Sequence, residues 1–128
     1  MWHFRRTEPF DTLFDKKYIA FVGAGGKTTF IEYIAEEAQK KGKTVVITTT
    51  TKIYAKDPYV VLNGRDVDLN PEKRVIRVGR HIEEGKLTGV TFEEIVTLGN
   101  VFDMVLIEAD GAKGKPLKFP APYEPVIP

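Results

Sequence analysis

The residues best placed to do chemistry are Gly23-Ala24-Gly25-Gly26-Lys27-Thr28-Thr29, which follow directly on the apolar run Tyr18-Ile19-Ala20-Phe21-Val22. A strand that enters a glycine-rich turn and then a helix points successive backbone N–H groups at one concavity and adds the positive end of the helix. The missing side chains at Gly23, Gly25 and Gly26 let an anion come close. Phosphate suits such a cradle. Lys27 would lie along the terminal phosphates, the Thr28 hydroxyl would ligate a magnesium ion bridging them, and Ala24 and Thr29 complete the nucleotide-binding set. The spacing departs from G-x-x-x-x-G-K-[ST], which would place a glycine where Phe21 stands. It departs also from K-G-G-x-G-K-T, which would place a lysine where Val22 stands. The entry to the loop therefore bends differently, and no lysine is offered to a sister subunit.

A second stretch carries acids. Asp103-Met104-Val105-Leu106-Ile107-Glu108-Ala109-Asp110-Gly111 reads as a central parallel strand that delivers carboxylates to its C-terminal end, beside the phosphate loop. Side chains alternate along a strand, so Glu108 and Asp110 share a side, and either could hold a magnesium-bound water while the other orients the attacking water. With Lys27 they form the catalytic set, and with Thr28 the metal set; the plainer role for Asp110 is to cap an Asp-Gly turn. Lys43 to Thr51 is a buried-type strand, Val45-Val46-Ile47, that runs out into four threonines and Lys52. Threonine is an ordinary strand residue, but at the carboxyl end of a parallel strand Thr49, Thr51 and Lys52 are also placed to meet a phosphate or substrate. Lys113, Lys115 and Lys118 follow on the acidic strand end and either reach an anion or are solvated loop lysines. His3 and His81 have no partner at metal-ligand spacing.

These residues need elements to position them. Residues 27 to 41 have a helical pattern: Phe30, Ile34 and Ala38 share a face, Glu36 with Lys40 and Glu37 with Lys41 make i,i+4 pairs, and Gly42 ends the run. Residues 7 to 16 predict a short amphipathic helix with Thr7 as cap and Phe10, Leu13 and Phe14 inward. Tyr59 to Leu62 and Val75 to Val78 are short candidate strands, and Gly79, Gly85 and Gly89 punctuate a loop or hairpin carrying His81, Glu83, Glu84 and Lys86. Thr91-Phe92-Glu93-Glu94 is a capping box opening a helix with Phe92, Ile95 and Val96 inward and Gly99-Asn100 at its close. The tail, residues 111–128, is rich in proline and predicts an extended loop rather than a helix or strand.

At 128 residues and 42% hydrophobic the chain is the size of one domain, residues 1–128, able to bury a core. Nineteen basic against 18 acidic residues leave a net charge of +1, without a basic block to track a nucleic-acid backbone, so nucleic acid is not expected as a partner. The absence of cysteine removes disulfides, thiolate metal sites and catalytic thiols and fits a reducing compartment. No apolar run reaches the roughly 18 residues that span a bilayer, and Arg5, Arg6 and Glu8 interrupt any signal-peptide core. The expectation is a cytoplasmic protein with no membrane partner.

Val22-Gly23-Ala24-Gly25-Gly26-Lys27-Thr28-Thr29, Thr48 to Lys52, Gly85-Lys86-Leu87-Thr88-Gly89-Val90, Glu108-Ala109-Asp110-Gly111, Pro116-Leu117-Lys118 and Glu124-Pro125-Val126-Ile127-Pro128 together resemble the YqeC-type family. The resemblance runs from about Ile19 to the last residue. Its members are described as accessory proteins of selenium-dependent molybdenum hydroxylases. The resemblance implies a P-loop NTPase-like domain tied to maturation of a molybdenum cofactor or its selenium-bearing form, and a hydroxylase or its cofactor as partner. Family members continue past the Glu-Pro-Val-Ile-Pro segment on which this chain stops, so a C-terminal part is expected to be missing. The base-recognition motif N-K-x-D is absent, which leaves ATP and GTP both open.

The combined expectation is an α/β three-layer domain with a mostly parallel sheet, the phosphate-loop strand beside the Glu108 strand. It would bind a nucleoside triphosphate with magnesium and hydrolyse it slowly. The alternatives are a carrier of a phosphorylated cofactor and a phosphotransferase or ligase half-site. Since no helix follows the Glu108 strand, residues 104 to 109 and the tail are expected to leave a face or edge covered by a second copy or a partner.

Overall fold

A computed structural model describes residues 12–22, 27–71, 75–109 and 123–126. Gly23, Ala24, Gly25, Gly26, Asp110, Lys113, Lys115, Lys118, Thr7 and Phe10 lie outside the described residues. The strands that matter for the site are β1 (Tyr18–Phe21), β2 (Val45–Thr49) and β8 (Met104–Glu108). With β4 (Tyr59–Val61), β5 (Ile76–Gly79) and β9 (Tyr123–Val126) they form a six-stranded sheet in the order β4-β5-β2-β8-β1-β9, every pairing parallel. The expected α/β domain with a mostly parallel sheet is what the chain forms.

Parallel strands are buried on both faces, and the sequence supplies apolar residues at every position rather than at alternate ones. Ile19 and Phe21, Val45 and Ile47, and Met104 and Leu106 point to the face covered by helix α1 (Lys27–Lys40), where Phe30, Ile31, Ile34, Ala35 and Ala38 meet them. Tyr18 and Val22, Val46, and Val105 and Ile107 point to the other face, covered by α2 (Phe92–Val101) through Ile95 and Leu98. Phe21 and Phe30 pack edge to face at 5.5 Å, which ties the loop-bearing strand to the helix that follows the loop. The expected uncovered face at residues 104 to 109 is not there: Met104–Ile107 are buried between the two helices, and β8 has strand neighbours on both edges.

Several elements differ from the sequence reading. Within the tail, Tyr123–Val126 form β9, which pairs with the outer edge of β1, Pro125 opposite Ala20, so these four residues, expected as loop, are an edge strand, where a missing N–H is tolerated. Gly99 does not close α2, which continues to Val101 with Phe102 as cap. A Cβ at Gly99 would lie 1.9 Å from the Tyr18 hydroxyl oxygen, so glycine is there for close packing. Lys17 Nζ supplies the missing helix end, donating to Gly99 O (2.7 Å) and Phe102 O (3.0 Å). Phe92 is exposed rather than inward, while the Thr91 capping box forms as read. Of the expected pairs on α1, Lys40 meets Glu36 and Glu37, whereas Lys41 lies over the Phe14 ring. Of residues 7 to 16, Thr12–Asp15 form a 3-10 turn with Leu13 and Phe14 in the core.

A second sheet is antiparallel. Strands β6 (Ile82–Glu83) and β7 (Lys86–Thr88) make the hairpin expected around Gly85, and β3 (Lys52–Tyr54), not anticipated, adds to β7, giving the order β3-β7-β6. Gly89 lets this sheet close on the larger one: a Cβ there would sit 2.4 Å from Thr50 O. The contact it permits puts the Val90 N–H on Thr49 O at 2.9 Å and pins the threonine end of β2.

Candidate functional site

The register decides what meets what. Phe21 pairs with Glu108, and Glu108 pairs with Thr49, so the carboxyl ends of β1, β8 and β2 finish at one level, where α/β sheets bind ligands. Lys27, the first residue of α1, sends Nζ to Ala109 O at 3.2 Å, just past the end of β8. The helix that begins after the glycine segment and the strand that ends in Glu108 are thus joined by the side chain singled out for phosphate. Ala109 N–H also donates to Phe21 O (3.0 Å), which holds β8 to β1 beyond their last paired residues.

Glu108 follows the alternation of β8 and lies on the α1 face, half-buried beside Thr28, Ile31 and Ile47. Burial pushes its carboxyl above the usual carboxylate value, and the positive charges of Lys27 and Arg77 pull it part of the way back. Thr49, fully buried, braces the same point: its Oγ1 donates to Glu108 O (2.9 Å) and accepts from Thr51 N–H (2.9 Å). Thr50 N–H also donates to Glu108 O, at 3.1 Å. Thr48 faces the other way and donates to Val78 O. The structure therefore brings Lys27, Thr28, Thr49 and Glu108 to one end of the sheet. Thr51 stays beside Thr49, its hydroxyl 3.3 Å from Thr49 Oγ1, and is exposed like Thr28 and Thr29, whereas Lys52 is set against Glu83 at 3.7 Å on the small sheet.

Sequence reasoning missed Arg77. It lies in β5 between Ile76 and Val78, which join the core of the α2 face, and points to the α1 face, only 8% exposed. Its Nη2 donates to Glu32 Oε2 on α1 (2.6 Å), and Lys56 Nζ donates to the same oxygen (2.9 Å). The hydrogen bond from Lys56 holds Glu32 below its usual value against the cost of burial, with help from Arg77. A cavity of about 330 Å³ runs from this cluster to Thr28 and Glu108, floored by Ile31, Ile47 and Ile53. The available signal was a lone arginine inside the short candidate strand Val75 to Val78.

Among the described residues no group of three or more His, Cys, Asp or Glu side chains gathers as a metal cluster, and no helix is long and apolar enough to cross a membrane. The oxygen donors at the sheet end, the Thr28 hydroxyl and the Glu108 carboxylate, nonetheless fit magnesium, which takes one or two protein oxygens and fills its remaining positions with water and phosphate.

No solved structure matches the chain. An Escherichia coli (strain K12) protein described as "Uncharacterized protein YqeC" is 40% identical over 119 residues, covering 86% of this chain and 46% of that protein, so the chain spans a little under half its relative's length. The model of the family described as "YqeC protein" matches residues 19–128, from the second residue of β1 to the last residue. By both comparisons the chain belongs to the YqeC family.

Proposed function

We propose that the chain binds a nucleoside triphosphate where β1, β2 and β8 end, and hydrolyses it slowly in support of the maturation of a selenium- or molybdenum-dependent hydroxylase. The observation that carries the nucleotide reading is the join between Lys27 and the end of β8: the lysine of the Gly-Gly-Lys-Thr segment and the carboxylate of Glu108 flank one point at the C-terminal edge of a parallel sheet. Such an edge, with a helix starting beside it, is where phosphates bind in α/β sheets. Tying that activity to a hydroxylase rests on the family resemblance.

Lys27 would exchange its bond to Ala109 O for the terminal phosphate oxygens and stabilise the charge that develops there. Thr28 and Glu108 would hold magnesium, which when bound neutralises phosphate charge. The carboxylate of Glu108, or Asp110 beyond the described residues, would orient the attacking water. Thr49 keeps the Glu108 backbone in place by its bond to the carbonyl. The cavity beside Thr28 and Glu108 favours a second reading, a phosphotransferase or ligase half-site, because its volume is that of a small molecule rather than of one water. Calorimetric titration of ATP and GTP with and without magnesium, followed by turnover measurements, tests the proposal. Tight binding with turnover supports hydrolysis, and no binding of either nucleotide removes it.

A further inference from the structure

We propose that the cavity between α1, β3 and β5 binds a small organic acid, its carboxylate or phosphate taken by Arg77 and Lys56 and its apolar body laid on Ile31, Ile47 and Ile53. The reasoning starts from the cost of Arg77. A guanidinium taken out of water is expensive, and where packing alone mattered an apolar residue at position 77, between Ile76 and Val78, would serve as well or better. Among the described residues, the partner Glu32 does not use up what Arg77 offers. Guanidinium presents five N–H donors in a planar fork that fits a two-oxygen acceptor, yet Glu32 gives it Oε2, an oxygen already shared with Lys56.

Two cations therefore meet on the single Oε2 of Glu32 at one wall of a cavity whose floor is aliphatic, and the second carboxylate that lines it, Glu108, is held above its usual value by burial. That combination selects an amphipathic anion over a neutral or cationic ligand. Lys56 is 65% exposed and Glu32 36% exposed at their side chains, so both can move at the mouth, whereas Arg77 is fixed in the sheet. Glu32 then acts as an internal stand-in that keeps the cations in place until an incoming oxyanion replaces it. This inference rests on the nucleotide reading only in giving the acid a role, that of co-substrate beside Glu108. The binding itself requires no nucleotide.

The test is an isotope-edited NMR titration of the full chain without nucleotide, using phenyl phosphate, benzoate and, as neutral control, benzyl alcohol. At least one acid should shift the amides of Ile31, Ile53 and Arg77, and the stronger of the two identifies the headgroup. Benzyl alcohol should bind about tenfold more weakly, and Arg77→Met should weaken the acid by about tenfold or more. Glu32→Gln, which frees both cations, should tighten it several-fold, an effect that loss of a purely structural ion pair would not produce. Failure of both acids to shift these amides at millimolar concentration in the folded protein would overturn the proposal. So would equal binding of the alcohol, or a Glu32→Gln variant that binds the acid less well than wild type. None of these outcomes bears on whether ATP or GTP binds.

Discussion

Thr49→Val separates the structural and the functional duties of the threonine run. The hydroxyl lies fully buried, donates to Glu108 O at 2.9 Å and accepts from Thr51 N–H at 2.9 Å. Valine keeps the shape and loses both bonds, with the weaker 3.3 Å contact to the exposed Thr51 hydroxyl. Glu108 O retains the Thr50 N–H at 3.1 Å, and the exposed Thr51 leaves its N–H within reach of water, so neither group is stranded. At about 0.5–1.5 kcal/mol net per bond, the variant should lose about 1–3 kcal/mol. At roughly 4 °C per kcal/mol for a chain of this size, the melting midpoint should fall by about 4–12 °C. Thr48→Val is the matched control, since it is equally buried but donates to Val78 O toward the opposite face. It should cost about 1 kcal/mol. Only Thr49→Val should also weaken magnesium-dependent nucleotide binding, by several-fold, because only it loosens the backbone that carries Glu108. Denaturant melts and calorimetry on both variants decide it. A Thr49→Val midpoint equal to wild type, or equal losses of nucleotide affinity in the two variants, would refute the reasoning.

Two further outcomes follow from packing and charge. Gly99→Ala should destabilise by about 1–3 kcal/mol despite alanine's better helix propensity, since its Cβ would meet the buried Tyr18 ring; a denaturation midpoint at or above wild type would contradict the contact. For Glu108, burial raises the folded value above the unfolded one, so the folded state holds the proton more tightly. Wild type should match Glu108→Gln below the ordinary carboxylate range, lose ground as pH rises through the raised folded value, and remain the less stable at neutral pH. Thermal melts across that range check the sign, and a Glu108→Gln variant less stable than wild type at neutral pH would reverse it.

The parts of the fold legible in the sequence are those where local pattern and tertiary role agree. Tyr18 to Val22 and Met104 to Ile107 are apolar at every position because both faces are covered, and Thr91 with Glu94 closes its own capping box within one turn. Legibility fails where a distant partner sets the role. Gly99 reads as a helix stop, yet it is small because Tyr18 lies against it. Pro125 argues against a strand until β1 is seen to have a free edge that a proline can occupy. Lys52-Ile53-Tyr54 carries too few residues to announce β3, which exists because β7 offers it a ladder. In the site, Lys27 and Glu108 were marked by type and spacing. Arg77 was hidden because its partner Glu32 is 45 residues away and on another element.

The account's central claim is that Lys27 and its surroundings bind a nucleoside triphosphate, and calorimetric titration of ATP and GTP into wild type and Lys27→Ala tests it most directly. Wild type should bind at least one nucleotide, more tightly with magnesium, and Lys27→Ala should bind it about tenfold or more weakly whether or not magnesium is present. Equal affinity in wild type and Lys27→Ala would contradict the claim.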